Sequence, residues 1–246
     1  MRARAAGALL ALLLAAPAVA MHSDTIEVRV RVEGAWQQVW SGAVELPARY
    51  TFTSERGVQR TVEGDTPLGA LWAASQQAGF ALVIRDEYDD LEPVRVAGEA
   101  WWDARWWDYR VDFVQTNYGP QSQWLTGGHA LAAGDEVLWY VEQPGMTPLR
   151  LAPLATVGPG PCAIAARVEQ PAVDPLVQAG QAWPELVWGP APLARFAGAA
   201  GEVPMVGGAG AAVLLEGGPV WADEQPLPVG LPAHFIRSER WSVACG

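Results

Sequence analysis

The chain has 246 residues, half of them hydrophobic, with thirteen tryptophans and 27 acidic against sixteen basic residues, a formal charge of −11. Every basic residue is arginine, and the chain holds no lysine. So acidic a surface repels phosphate backbones and anionic headgroups, which excludes nucleic acid and the membrane surface as expected partners.

Residues 1–20 read as a signal peptide. Arg2 and Arg4 precede an apolar run from Ala5 to Leu14, broken only by Gly7, and Ala18-Val19-Ala20 is a small-residue cleavage site. The run is well short of the roughly 20 residues that a membrane-spanning helix needs, and no later stretch reaches that length. The expected mature chain starts near Met21 or His22. With Arg2 and Arg4 removed, fourteen arginines face 27 acids, a charge of −13. A secreted or periplasmic protein is expected. In that setting an even cysteine count most simply means one disulfide, Cys162 to Cys245.

Thr25 to Val32 alternates apolar and polar residues. This predicts a strand with Ile26, Val28, Val30 and Val32 inward and with Arg29 and Arg31 in solvent. Glu33-Gly34 turns the chain, and Trp36 to Trp40 returns as the partner strand. A further extended piece, about 48–62, contains a turn at Ser54 to Gly57. The period then changes. Asp65-Thr66-Pro67 is a helix start, with a capping side chain before a proline whose missing N–H costs nothing there. Leu68, Leu71, Trp72 and Ser75 form one stripe, and Gly79 supplies the C-cap. This is the one helix predicted after the leader.

Phe80 to Ile84 is strand-like. Arg85 to Glu92 (RDEYDDLE) is the most acidic stretch and reads as a solvated loop between strands. Its clustered carboxylates (Asp86 to Glu92) also raise calcium, although the spaced acidic loop that would make a calcium site specific is missing. Two more extended stretches follow, 93–97 and 105–114. In the second, Trp107, Tyr109, Val111 and Phe113 share one face, and Asp108, Arg110 and Asp112 share the other. Asn117 to Pro120, Gly127-Gly128 and Ala133-Gly134-Asp135 are turn signals. The last launches Glu136 to Glu142, a largely apolar central strand.

From Pro144 onward proline and glycine become dense. A domain boundary is expected there, dividing residues 21–145 from residues 146–246. Strand candidates at 149–151, 163–168, 211–216 and 235–243, with no amphipathic helix between them, predict a small β-sandwich. The cysteines would close its two ends, stabilising it by roughly 3–5 kcal/mol. A glycine-rich loop is expected over 197–212.

Three stretches carry a family resemblance: GDTPLGAL at Gly64 to Leu71, WWDYRVDF at Trp106 to Phe113, and GDEVLWYV at Gly134 to Val141. Across residues 25–145 the chain resembles the transcobalamin-like C-terminal domain family, a β-grasp-like module of secreted and surface-attached bacterial proteins. The family usually has Asn-Gly after its aromatic strand. Here Asp112-Phe113 stands in that place, and a longer strand running to Val114 is expected. The C-terminal PVWADE and FIRSERWSVAC segments are similar to immunoglobulin-like or carboxypeptidase-regulatory-like tail modules. The fold expected is therefore mainly β with one helix: a β-grasp-like domain followed by a small immunoglobulin-like β-sandwich. The resemblance implies a ligand-facing surface at Trp101 to Trp107 and Gln115 to Trp124. In animal carriers of this family the domain closes over cobalamin opposite a helical barrel. With one helix predicted here, a free-standing cobalamin carrier is not expected, and cobalamin enters through the resemblance alone.

The residues do not assemble a catalytic kit. His22, His129 and His234 form no i, i+4 pair, neither cysteine lies in a C-x-x-C, and no nucleophile elbow or phosphate loop is present. Asp103 and Asp108 could serve glycoside hydrolysis only at a separation that spacing does not define. No enzyme, metal site or cofactor is expected. The tryptophans point instead to binding. Neighbours on a strand take opposite faces, so Trp101 and Trp102, like Trp106 and Trp107, must split between core and surface. The candidate ligand-binding residues are Trp101, Trp102, Trp106, Trp107, Tyr109, Tyr118 and Trp124. They form an aromatic patch for a small molecule, glycan or protein partner. The alternative is a structural or adhesive envelope component whose tryptophans pack between domains.

Overall fold

The computed structural model describes residues 25–87, 90–100, 106–116, 130–142, 146–156, 163–171, 176–177, 188–191, 194–198, 213–216, 218–224 and 235–243. The leader, Trp101, Trp102, Tyr118, Trp124, Cys162, Cys245 and all three histidines lie outside these residues, and so does most of the glycine-rich stretch expected at 197–212.

The chain is mainly β with one helix among the described residues. β1 (Ile26–Glu33) and β2 (Gln38–Leu46) form an antiparallel hairpin. β3 (Arg49–Thr53) and β4 (Gln59–Glu63) form a second, turned at the expected Ser54 to Gly57. Helix α1 (Pro67–Ala78) starts and stops where its capping residues predict. Thr66 Oγ1 accepts the Gly69 N–H at 3.0 Å, Pro67 opens the first turn, and Gly79 closes the last at φ 75°. Its contact surface is wider than the predicted stripe, because Ala70, Ala73 and Ala74 are buried as well as Leu68, Leu71 and Ser75.

β5 (Leu82–Glu87), β6 (Asp90–Val96) and β7 (Glu99–Ala100) make a three-stranded meander. The expected solvated loop at RDEYDDLE is thus corrected to the facing ends of β5 and β6, with Glu87 opposite Asp90. Two of its acids are matched by arginines. Asp86 takes a two-pronged contact from Arg60 at 2.7 and 2.8 Å, and Glu92 pairs with Arg85. Two of the carboxylates that suggested calcium, Asp86 and Glu92, are thus engaged in hydrogen-bonded ion pairs.

β8 (Trp106–Val111), β9 (Val114–Thr116) and β10 (Glu136–Glu142) complete the first half. β10 runs parallel to β1 on one side and antiparallel to β8 on the other, so it lies in the middle of the sheet as predicted. The expected long strand through Asp112-Phe113 is corrected. These two residues form a two-residue hairpin turn, flanked by the Val111–Val114 pair, at φ 49° and 66°. Such turns match strand twist by placing both central residues in the left-handed region, which usually calls for Asn-Gly. As a result Phe113 leaves the face of Trp107, Tyr109 and Val111.

The C-terminal chain contributes β11 (Thr147–Pro148), β12 (Arg150–Thr156), β13 (Ala163–Pro171), β14 (Leu176–Val177), β15 (Trp188–Pro190), β16 (Ala194–Gly198), β17 (Val213–Glu216), β18 (Gly218–Glu224), β19 (Phe235–Ile236) and β20 (Trp241–Val243). One sheet joins β12, β13, β15 and β17, another joins β16, β18 and β20, and β11 pairs with β19. β14 does something else. It pairs parallel to β9, so the main sheet reads β14-β9-β8-β10-β1-β2 and draws an edge strand from beyond the expected boundary at residues 145–146.

The main sheet is covered on both faces. On one, Val28, Val30, Val32, Val137, Trp139, Trp107 and Tyr109 meet α1 in a single core. Trp139 is fully buried and its indole N–H donates to the Pro67 carbonyl at 3.0 Å, pinning the first turn of α1 to the central strand. On the other, Leu138 and Tyr140 pack with Met146 and Ile236, with Phe113 against them. Arg31 therefore does not reach solvent. It is 2% exposed, whereas Arg29 is exposed as expected. Alternation along β1 told the two faces apart. That the second face is covered depends on a segment some two hundred residues away.

Candidate functional site

The register aligns one end of the main sheet. Glu33 of β1 faces Tyr140 of β10, which faces Asp108 of β8. Trp106 is two residues beyond that line on β8, about 7 Å at strand rise, and Trp36 is three residues beyond it in the β1–β2 turn. Both indoles reach the surface, Trp36 at 79% exposure and Trp106 in part at 38%. Two segments seventy positions apart in sequence thus place exposed rings at the same end of one sheet. Two strand spacings, about 10 Å, separate β1 from β8 across β10.

The turn that presents Trp36 is held from below. The Gly34 N–H donates to the Gln37 carbonyl at 2.9 Å, and the Ala35 N–H donates to Glu99 Oε2 at 2.7 Å. The Glu99 carboxylate sits where a side chain at residue 34 would begin, so a larger residue there would have to displace it from the Ala35 N–H. The Glu99 carbonyl in turn accepts the Trp107 indole N–H at 3.2 Å. Glu99 therefore ties the Trp36 turn to the strand carrying Trp106. A ring whose mount is fixed in advance loses little freedom on binding.

Behind the rim lies a buried charge cluster. Glu33 is 3% exposed, accepting from Gln38 at 2.9 Å and from Arg237 at 3.2 Å. Burial pushes the Glu33 carboxyl above its ordinary value, against the opposing pull of Arg31 and Arg237. Arg237 also donates to the Gly34 carbonyl, so the C-terminal chain braces the same turn. The rim combines two outward indoles with a rigid acidic base. That arrangement suits stacking against a flat ring or the apolar face of a sugar.

Of the sequence candidates, Trp106 is the one whose described side chain lies open at this rim. Trp106 and Trp107 divide between the two faces as strand alternation requires. Trp107 and Tyr109 are core residues, and Tyr109 packs on Trp139 with ring centroids 5.3 Å apart. Neither offers ring area to a ligand. Trp101, Trp102, Tyr118 and Trp124 fall outside the described residues, as does the Cys162–Cys245 pairing. Trp36 is the residue that sequence reasoning missed. The sequence pattern puts it on the returning strand, although its place directly after Glu33-Gly34-Ala35 is a turn position. Among the described residues no group of three or more His, Cys, Asp or Glu side chains is placed to hold a metal ion, and no helix is long and apolar enough to cross a membrane.

Compared with known protein families and with curated proteins, the chain matches none.

Proposed function

We propose that this is an exported, non-enzymatic binding protein that engages a small molecule, glycan or protein partner through the aromatic rim of Trp36 and Trp106. The observation that carries the reading is the convergence of these two exposed indoles on one sheet end, over a turn braced by Glu99 and Arg237. Exposed rigid aromatic area is what ring-bearing and sugar-like ligands stack upon.

The fold supports the resemblance to the transcobalamin-like C-terminal domain family. A hairpin, a helix packed on it, and a last strand returning parallel to the first is the order of a β-grasp-like domain. The two larger C-terminal sheets, with β12 and β13 lying against β18 and β16, support the reading of a β-sandwich with an immunoglobulin-like character. Cobalamin remains a candidate ligand through the resemblance alone.

A structural role for the aromatic residues is the second reading. It is favoured by one observation: the sheet face opposite α1 is covered by Phe113, Met146 and Ile236, with Trp188 edge-on to Phe113. Titration of tryptophan emission with cobalamin and with oligosaccharides separates the two. The binding reading expects a saturable change that is lost in Trp36→Ala and Trp106→Ala, with both variants as stable as the parent. It is overturned if no ligand changes the emission, or if both variants lose stability instead of binding.

A further inference from the structure

β2 is an edge of the main sheet, and among the described residues no strand pairs with its outer side. An edge nine residues long presents a row of main-chain donors and acceptors. Natural edges are commonly blunted by charges, proline or shortness. β2 has no proline and a single charge, Glu45. Beside it an open groove of about 500 Å³ runs between the end of β2 and α1. Leu46, Pro47, Trp72 and Ala73 line it with apolar surface, and Gln76 adds an exposed amide.

Two like charges meet at this place, with exposed Arg29 two residues along the same face. Glu27 and Glu45 are directly opposite each other across the β1–β2 ladder, and both are exposed. Like charges so placed destabilise a hairpin, and neither residue forms an ion pair among the described residues. A cation delivered from outside would satisfy both. This end of the sheet, where Ile26 pairs with Leu46, is the opposite end from the Trp36 rim.

We propose that β2 and its groove form a docking site for an extended peptide segment of a partner protein, one that alternates apolar and basic residues. The segment adds to the sheet as a strand along β2, seats an apolar side chain against Trp72 and Pro47, and sets an arginine or lysine beside Glu45, on the face it shares with Glu27. Main-chain pairing supplies affinity in this mode, and the groove and acidic pair supply selectivity. The site is separate from the aromatic rim, so either can fail without the other.

The test uses the full chain and a fluorescein-labelled heptapeptide of alternating valine and arginine with a central phenylalanine, read by anisotropy. Saturable binding is expected, and N-methylation of the peptide backbone is expected to abolish it. Glu45→Arg should weaken binding about tenfold or more while the melting temperature holds or rises, because a like-charge contact disappears. Gln76→Trp, at an exposed position, should fill the groove with the same loss. Glu55→Arg, an exposed acid elsewhere, controls for net charge. The proposal is overturned if the peptide does not bind, if Glu45→Arg and Glu55→Arg weaken it equally, or if N-methylation leaves binding intact. It is also overturned if sedimentation shows β2 occupied by a second copy that excludes the peptide.

Discussion

The guanidinium of Arg31, on the first strand, donates to the main-chain oxygen of Arg237 at 3.0 Å, across 206 positions of sequence. Around that bond the two halves of the chain meet through charges and rings rather than through apolar side chains alone. Arg31 Nε lies 3.7 Å from Glu136 Oε1, and its guanidinium carbon is 5.8 Å from the centre of the Phe113 ring. Phe113 meets Trp188 edge-on at 5.2 Å, and Arg150 covers Trp188 at 3.9 Å. Arg150 ends the series on buried Glu169, at 2.7 Å. A buried ion pair is a weak net stabiliser compared with an apolar replacement, but removing one partner strands the other charge. The interface is accordingly sensitive to single changes.

Arg31→Ala should therefore destabilise the protein by about 1–3 kcal/mol, the cost of stripping the Arg237 carbonyl of its donor and loosening the pair with part-exposed Glu136. Urea unfolding followed by tryptophan emission measures it. A loss under 1 kcal/mol would mean that Glu136, a quarter exposed, is satisfied by water without Arg31.

The same interface makes stability depend on pH. Burial raises Glu33 and Glu136 above their ordinary value of 4.5, for Glu136 against the pull of Arg31 and with Glu239 and Asp112 adding to the rise. A carboxyl raised on folding holds its proton more tightly in the folded state. Its contribution is present in acid and is lost as pH climbs from 4.5 through the folded value. Asp86 acts in reverse. Arg60 holds it below 3.8, so its contribution is present above 3.8 and is lost as pH falls through the lowered folded value. Thermal unfolding between pH 4 and 8 should show stability declining with rising pH, and Glu33→Gln with Glu136→Gln should flatten that decline.

Phe113 sets backbone against side chain. Its φ of 66° is unfavourable for a residue with a bulky Cβ, by roughly 1–2 kcal/mol. Phe113→Gly relieves that strain but removes the ring from Trp188 and Arg31, where truncation of a packed phenylalanine costs about 3–5 kcal/mol. A net destabilisation of about 2 kcal/mol is expected from chemical denaturation. A stabilised variant would show that the turn, and not the ring, dominates at this position.

Trp139→Phe tests how the helix is anchored. It keeps most of the buried ring but strips the Pro67 carbonyl of its donor, at a cost of about 1–3 kcal/mol. Hydrogen exchange should locate the loss in the first turn of α1. Uniform loosening of the whole chain would argue instead that ring volume matters more than the hydrogen bond.

How far the fold could be read ahead varied with the local signal. Asp65-Thr66-Pro67 and Gly79 are positions where few residue types satisfy the backbone, so the helix ends were legible. Alternation in TIEVRVRV and the apolar run of β10 were legible for the same reason of period. Asp112-Phe113 was not, because it forms a left-handed turn without glycine or asparagine and is compensated by contacts with distant Trp188 and Arg31. RDEYDDLE looked like a solvated loop because its neutralising Arg60 comes from another hairpin. β15, β16 and β18 were hidden among glycines and prolines that ordinarily mark loops. At the rim, the divergence of Trp106 and Trp107 follows from strand geometry. The convergence of Trp36 with Trp106 follows from the parallel pairing of β1 with β10, which local pattern does not encode.

Oxidative footprinting of tryptophan, resolved by mass spectrometry, tests the rim most directly. In the free protein Trp36 and Trp106 should be modified first while Trp139 and Trp107 stay intact. With whichever of cobalamin or the oligosaccharides shifts the emission, Trp36 and Trp106 should become protected together. Binding that leaves both indoles as reactive as before would contradict the account.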